Sequence, residues 1–187
     1  MTKAELRKTY KLKRQELSSE TVEEFSLQIA NRLLTLPIWD FSFYHIFLSI
    51  EELKEVNTDY LLNILSGKDK HIVISKSDFS TGKMNHFLLT DSTVIKKNAY
   101  NIPEPLDGIE VPTQNLEVVF IPLLAFDEEG HRVGYGKGFY DSFLAECKPE
   151  TLKIGLSFFE SESKIEDVFD GDMALDYCVT PKQVYRF

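Results

Sequence analysis

A chain of 187 residues that is 43% hydrophobic and carries a formal net charge of −9 can bury one hydrophobic core. We therefore expect a single domain over residues 1–187. The acidic balance argues against a general nucleic-acid-binding protein, because such proteins concentrate lysine and arginine on one face. No apolar run is long enough to span a bilayer and no signal-peptide pattern is present, which favours a cytoplasmic protein without a membrane partner. We also expect a monomer.

The N-terminal segment predicts a basic helix. Thr2 begins a capping box, and a thin apolar stripe follows among many cations: Lys3, Arg7, Lys8, Lys11, Lys13 and Arg14. The residues alone favour a solvated surface helix, which is the usual place for a run of charge. The other possibility is that Lys3 and Arg7, one turn apart on one face, reach a phosphate of a ligand.

Helices and strands alternate along the rest of the chain. A second helix should begin at Ser18 or Ser19 and end at Pro37. A third should run from about Thr58 to Gly67. Strands are expected at Phe43–Ser49, His71–Ser75, Met84–Leu89, around Val94–Ile95, Glu117–Pro122, Lys153–Phe158 and Tyr177–Thr180, with an extended or turn segment at Asn101–Pro105.

This alternation predicts the fold class. Strands separated by helices favour a Rossmann-like α/β sandwich of three layers, in which a mostly parallel, mixed sheet has helices on both faces. Ligands of such folds bind outside the carboxyl ends of the strands. The site should therefore lie where the strands end after Ser49, Ser75 and Pro122.

A glycine-rich stretch is the main candidate for a binding site. Four of the nine glycines fall within nine residues, between the strand at Glu117–Pro122 and an amphipathic helix expected at Phe139–Cys147. A glycine loop before a helix is typical of an anion site, since glycine allows close backbone approach and the helix N-terminus presents free N–H groups. The spacing Gly134-x-Gly136-x-Gly138 matches neither common nucleotide fingerprint, so spacing alone also allows a hairpin tip.

Charged residues within and beside the loop favour a phosphate ligand. Arg132 and Lys137 supply cations, and Asp141 supplies a carboxylate directly after the loop. Sites that bind a phosphate group together with a divalent metal commonly combine cationic side chains with a carboxylate.

Three separated segments resemble one known family. Residues 125–141 follow the pattern A/G-F-D-x-x-G-x-R-L-G-x-G-x-G-Y-Y-D, with Val133 in the leucine position and Phe139 in the first tyrosine position. The chain also has Lys3-x-x-x-Arg7 near its start, and Leu48-Ser49 followed by the segment from Glu55 to Thr58. On these motifs the chain resembles the 5-formyltetrahydrofolate cyclo-ligases, also called methenyltetrahydrofolate synthetases.

The resemblance implies an enzyme with ATP and Mg²⁺ as cofactors and a reduced folate as substrate. Members convert 5-formyltetrahydrofolate and MgATP into 5,10-methenyltetrahydrofolate, ADP and phosphate. In the mechanism attributed to the family, the formyl oxygen is phosphorylated, and N10 of the same folate then attacks the activated carbon. The protein mainly has to hold geometry and stabilise charge on the moving phosphoryl group.

The resemblance also implies a role for each site residue. The implied ATP-binding residues are Lys3, Arg7, Gly134, Tyr135, Gly136, Lys137, Gly138, Phe139 and Tyr140. The implied substrate-binding residues are Leu48, Glu55 and Tyr100, together with Gly136, Lys137, Gly138, Phe139 and Tyr140. Arg132 and Lys137 are implied to act in catalysis by neutralising phosphate charge, and Asp141 and Asp172 to bind the metal. On sequence alone, Asp172 is better interpreted as a turn residue beside Gly171.

Two other classes of function are compatible with the residues. The same architecture hosts sugar-phosphate isomerases and coenzyme A transferases, and a phosphate loop would serve these enzymes as well. A non-catalytic folate or nucleotide binder is the third hypothesis. The basic N-terminal helix and Asp141 favour the ligase, because a metal-free isomerase needs no carboxylate facing a triphosphate.

Overall fold

A seven-stranded mixed sheet forms the centre of the molecule, which the computed structural model describes over residues 1–187. The strands are β1 (Phe43–His45), β2 (His71–Asp78), β3 (Lys83–Leu88), β4 (Ile95–Lys97), β5 (Pro103–Pro105), β6 (Val118–Pro122), β7 (Ala125–Phe126), β8 (Arg132–Val133), β9 (Leu152–Leu156), β10 (Tyr177–Val179) and β11 (Val184–Arg186). The large sheet has the order β11-β10-β9-β6-β1-β2-β3, while β4 pairs with β5 and β7 with β8. The helices are α1 (Lys3–Gln15), α2 (Ser19–Leu33), α3 (Asp59–Gly67) and α4 (Phe139–Glu146). No helix combines the length and apolar composition needed to cross a bilayer.

The inner strands of the sheet are all parallel. β10, β9, β6, β1 and β2 pair in parallel, and the antiparallel strands β11 and β3 lie at the two edges. From β1 the chain continues to β2 on one side, whereas β6 pairs with β1 on the other side. The winding direction therefore reverses between β1 and β6, which leaves a crevice at their carboxyl ends.

Helices cover both faces of the sheet, as predicted. Along β6, Val118 and Phe120 belong to the core beneath α2 and α3, whereas Val119 and Ile121 belong to the core beneath α4. This alternation follows from the two-residue period of a strand, which sends successive side chains to opposite faces. An all-apolar strand such as β6 is thus the middle layer of the predicted three-layer α/β sandwich.

Helix α1 lies against the β7–β8 hairpin rather than in solvent. The predicted capping box at Thr2 is present. One face of α1 buries Leu6 and Tyr10 in a small core with Val133 of β8. The expectation of a solvated surface helix is therefore wrong for this face. Its apolar stripe is narrow, but Leu6 and Tyr10 are buried against the hairpin.

Several element boundaries differ from the predicted ones. Helix α2 ends at Leu33, before Pro37, and β1 ends at His45 rather than at Ser49. The Ser49 hydroxyl instead donates to the Val56 carbonyl at 2.6 Å. Strand β2 continues to Asp78, three residues beyond the predicted end, since it pairs with β3 from Val73 to Asp78. The extended segment near Pro103 forms strand β5 against β4, and neither β7–β8 nor β11 was predicted.

Candidate active site

A cavity of about 620 Å³ opens at the carboxyl ends of the central strands. His45 at the end of β1, Ser75 on β2 and Pro122 at the end of β6 line its floor, so it lies at the crevice where the winding of the sheet reverses. Its volume is in the range of sites for small ligands and cofactors.

All the residues expected at the site line this cavity. They are Lys3, Arg7, Leu48, Glu55, Tyr100, Arg132, Gly134, Tyr135, Gly136, Lys137, Gly138, Phe139, Tyr140, Asp141 and Asp172. The structure therefore brings the three separated motifs together. The individual roles stay predictions, because a shared cavity does not assign a ligand to each residue.

The glycine loop, residues 134–138, lies directly on α1. Arg7 Nε donates a hydrogen bond to the Gly134 carbonyl at 2.9 Å. A Cβ atom at Gly136 would lie 3.1 Å from Arg7 Cζ, and Gly136 has a φ of +88°. Only glycine adopts this conformation without strain and leaves room for the guanidinium. Gly138, with a φ of 74°, is the N-cap of α4. The remaining N–H groups of Arg7 make no hydrogen bond within the protein.

Lys3 and Asp172 form an ion pair beside the loop. The Lys3 ammonium contacts the Asp172 carboxylate and lies 4.4 Å from the centre of the Phe169 ring. The Phe169 N–H also donates to Asp172 Oδ2 at 3.1 Å. Asp172 therefore makes a local hydrogen bond of the kind expected of a turn residue, in addition to its ion pair with Lys3. A phosphate that binds Lys3 would compete with this carboxylate.

Arg132 joins Asp141 to the segment that carries Asp172. Its guanidinium donates to Asp141 Oδ1 at 3.0 Å and to the Met173 carbonyl at 2.6 Å, and the Met173 N–H donates to Asp141 Oδ1 at 3.0 Å. Asp141 Oδ2 and Asp172 Oδ1 accept no hydrogen bond within the protein. Two carboxylates with free oxygens fit a hard cation such as Mg²⁺, which binds one or two carboxylates together with phosphate oxygens.

Glu55 is a buried residue that also lines the cavity. Its carboxylate accepts hydrogen bonds from the Ile50 N–H and from the Tyr135 hydroxyl, both at 2.8 Å. Burial raises the pKa of Glu55, whereas the Ile50 N–H, the nearby Arg14 and the Tyr135 hydroxyl lower it. The Tyr135 hydroxyl in turn accepts a hydrogen bond from buried Arg14. The side chain of Tyr135 thus reaches from the glycine loop to Glu55.

An aromatic cluster stands at the mouth of the cavity. The rings of Phe79 and Tyr100 are 4.5 Å apart and tilted by 30°, and the Phe139 ring meets Phe79 edge-on at 5.1 Å. Phe139 therefore makes an aromatic contact in the position where the family pattern has tyrosine. The neighbouring Tyr140 hydroxyl makes no hydrogen bond within the protein, and burial raises the pKa of Tyr140, so its proton is retained at neutral pH.

Comparison with known proteins identifies the family. A sequence model of the 5-formyltetrahydrofolate cyclo-ligase family matches residues 1–168. The chain belongs to this family. The 5-formyltetrahydrofolate cyclo-ligase of Escherichia coli (strain K12) is 30% identical over 180 residues, which span 94% of this chain and 98% of that protein. The mouse 5-formyltetrahydrofolate cyclo-ligase is 32% identical over 144 residues, 70% of this chain and 69% of that protein.

Two solved structures support the same conclusion about the fold. The NMR structure of Aquifex aeolicus 5,10-methenyltetrahydrofolate synthetase matches with a TM-score of 0.84 and 29% identity, covering 100% of this chain and 93% of that one. A Mycoplasma pneumoniae 5,10-methenyltetrahydrofolate synthetase matches with a TM-score of 0.77 and 22% identity, over 97% and 99% of the two chains, and shows the shared fold. As a 5-formyltetrahydrofolate cyclo-ligase family member, the chain is a ligase of folate metabolism.

Sequence reasoning missed some residues that line the cavity of this family member. Lys11 continues the face of Lys3 and Arg7 at a spacing of four residues, which is a signal that could have identified it. His45 and Ser75 had no such signal. His45 Nε2 and His86 Nδ1 both bond the Ser75 hydroxyl, at 2.5 and 2.7 Å, and strand pairing alone brings the three together. Burial lowers the pKa of His86 to about 4, so it is neutral at pH 7.

Proposed function

We propose that the chain is a 5-formyltetrahydrofolate cyclo-ligase that uses MgATP and releases 5,10-methenyltetrahydrofolate, ADP and phosphate. One observation carries the proposal: a single cavity is lined both by a glycine loop with cations and by a buried glutamate. The first set of residues suits a triphosphate, and the second suits the N–H groups of a pterin. A ligase that activates a folate with ATP must bind the triphosphate and the folate side by side, so it needs both sets of residues in one cavity.

The nucleotide would bind the loop side of the cavity. Arg7 has guanidinium N–H groups with no partner in the protein, and Lys137 is exposed and makes no ion pair. Lys3 is held by Asp172, and Arg132 by Asp141. We assign Arg7 and Lys137 as direct phosphate contacts. Arg132 would act through Asp141, as well as by adding positive charge near the transferred phosphoryl group.

Asp141 and Asp172 would hold the magnesium ion. Their free oxygens, Oδ2 and Oδ1, belong to side chains that Arg132 and Lys3 already orient. When bound, Mg²⁺ supplies positive charge that neutralises the phosphate oxygens. Removal of either carboxylate should therefore weaken the use of MgATP rather than the binding of folate.

The folate would bind between Glu55 and the aromatic cluster. An ionised Glu55 can accept hydrogen bonds from ring N–H groups, since only one acceptor position on each oxygen is used in the protein. Leu48 and Tyr100 also line the cavity and would offer apolar contact to the rings. The aromatic cluster would thereby hold the substrate with its formyl group towards the glycine loop.

The reaction would proceed in two balanced steps. First, the formyl oxygen attacks the γ-phosphorus, a P–O bond forms, and the bond to the β-phosphate oxygen breaks to release ADP. Second, the N10 lone pair attacks the formyl carbon, N10 loses its proton, and the C–O bond breaks to release phosphate. The neutral Tyr140 hydroxyl, which has no partner in the protein, can donate a hydrogen bond to an oxygen that gains charge.

A direct assay tests the proposal. Mixing the protein with 5-formyltetrahydrofolate, ATP and Mg²⁺ should produce the near-ultraviolet absorbance of the methenyl product. Omission of ATP, or chelation of Mg²⁺ with excess EDTA, should abolish the rate. A folded protein that forms no product with all three present would exclude this function.

No observation favours the alternative of a sugar-phosphate isomerase or coenzyme A transferase. Asp141 and Asp172, each with one oxygen free of hydrogen bonds in the protein, have no evident use in a metal-free isomerase. A monomer in the cytoplasm remains our expectation for the state in which the enzyme acts.

A further inference from the structure

The side chain of Tyr135 connects two parts of the cavity that are distant in sequence. Its backbone lies in the glycine loop, between Gly134, which accepts a hydrogen bond from Arg7, and Gly136, which packs against the Arg7 guanidinium. Its hydroxyl donates to Glu55 Oε1 at 2.8 Å. The loop that would hold the triphosphate is thus bonded directly to the carboxylate that would hold the folate.

Helix α1 fixes both ends of this connection. Arg7, in its first half, holds the glycine loop, and buried Arg14, in its last turn, donates to the Tyr135 hydroxyl. The end of the helix also holds the residue before Glu55, because Lys54 Nζ donates to the carbonyls of Gln15 at 2.6 Å and Leu17 at 2.5 Å. The glycine loop and the loop around Glu55 therefore share one rigid support.

The orientation of the Glu55 carboxylate depends on these contacts. The Ile50 N–H donates to one oxygen and Tyr135 to the other, and both bonds favour the ionised form that accepts hydrogen bonds from a ligand. The charged or titratable side chains near this carboxylate are Arg14, Tyr135 and Tyr140. Among them, Tyr135 alone belongs to the glycine loop and also bonds the carboxylate.

We propose that Tyr135 is a positioning residue that couples nucleotide binding at the glycine loop to folate binding at Glu55. A bound triphosphate fixes the loop, the loop fixes the Tyr135 hydroxyl, and the hydroxyl holds Glu55 with its free acceptor positions towards the folate. Coupling between two sites is reciprocal, so bound folate must strengthen nucleotide binding by the same factor. This inference rests on the proposed function, since it requires that both ligands bind.

Titration calorimetry without turnover tests the coupling. The probes are 5-formyltetrahydrofolate and a non-hydrolysable ATP analogue with Mg²⁺. In the natural chain, a saturating analogue should tighten folate binding by about tenfold, which is within the usual size of coupling between sites. In Tyr135→Phe, this factor should fall to about twofold or less, whereas binding of the analogue alone should change little, since the loop backbone is unaltered.

Two further variants keep the result interpretable. Tyr60→Phe also removes a tyrosine hydrogen bond to a glutamate, the 2.7 Å bond to Glu23, but it lies outside the cavity and should retain the tenfold factor. Arg14→Met leaves Tyr135 in place, removes the cation that orients its hydroxyl, and should also reduce the factor. If Tyr135→Phe does not fold, Arg14→Met provides the same test.

The possible outcomes separate this inference from the proposed function. Full coupling in folded Tyr135→Phe and Arg14→Met would overturn the role of Tyr135, as would two ligands that bind the natural chain independently. If the natural chain binds neither probe, the proposed function itself fails.

Discussion

Gly136→Ala offers the sharpest test of how the glycine loop serves the nucleotide. The added Cβ would lie 3.1 Å from Arg7 Cζ and 3.3 Å from Arg7 Nε, so the guanidinium must move away from the loop. The residue also has a φ of +88°, which alanine adopts only with strain. The substitution therefore combines a local cost in stability with the displacement of one specific cation.

The two effects have different sizes and different readouts. Left-handed backbone costs a non-glycine residue about 1–2 kcal/mol, which should appear as a lower free energy of unfolding. Displacement of Arg7 loses hydrogen bonds between charged groups, each of which contributes about 1.5–3 kcal/mol. We therefore expect the KM for ATP to rise by about tenfold or more, with a smaller change in the KM for folate.

Gly82→Ala is the matched control. Gly82 lies in the turn between β2 and β3, has a φ of +73°, and has no atom within 4 Å of an added Cβ. Urea unfolding should show a similar loss of stability in both variants, whereas steady-state kinetics should show a higher KM for ATP in Gly136→Ala alone. Equal KM values for ATP in the two variants would refute the argument that Arg7 contacts the nucleotide while its guanidinium packs against Gly136.

Three further substitutions address the other groups of the site. Tyr140→Phe should lower kcat by about tenfold, because the lost hydroxyl would donate to the reacting group. The melting temperature should change little, since this hydroxyl has no hydrogen-bond partner in the protein. An unchanged kcat in steady-state assays would remove Tyr140 from the mechanism. Asp141→Asn should raise the Mg²⁺ concentration for half-maximal activity by about tenfold, and an unaltered Mg²⁺ titration would contradict its role as a ligand. Burial raises the pKa of the Glu55 carboxyl. Calorimetry should therefore show full folate affinity well above this pKa and a declining affinity as the pH falls through it. The decline should begin at a higher pH than it would for an ordinary glutamate. Glu55→Gln should bind folate weakly at every pH, and a pH dependence that survives this substitution would assign the titration to another group.

Local patterns predicted the order of elements better than their ends. The capping residues Thr2 and Ser18 begin their helices as expected, since a cap depends on neighbours within one turn. Beyond the early end of β1 at His45, Ser49 instead bonds Val56, and the short hairpin β7–β8 packs against α1. Such contacts join residues that no local window includes.

In the site, too, local patterns were predictable and contacts between separate side chains were not. Glycine spacing and nearby cations indicated an anion loop at residues 134–138, and the motif around it indicated the family. Neither could indicate that Lys3 pairs with Asp172 or that Arg132 pairs with Asp141, because the partner of a charged side chain depends on where the fold places it. His45 and His86 were missed for the same reason, since pairing of separate strands brings their rings together edge-on and places both on the Ser75 hydroxyl.

The sequence by itself was enough to predict the fold class and the family, because periodicity, turn chemistry and a long specific motif are all local properties of the chain. The residues that it singled out line one cavity. Only the tertiary structure decided which of those residues contact one another. Tyr135 illustrates the difference: the family resemblance implies that it contacts ATP, and only the structure shows that its side chain bonds Glu55. A side chain's partner is set by the packing of separate segments, here α1 and the two loops that it supports, and this packing has no signature within any one of them.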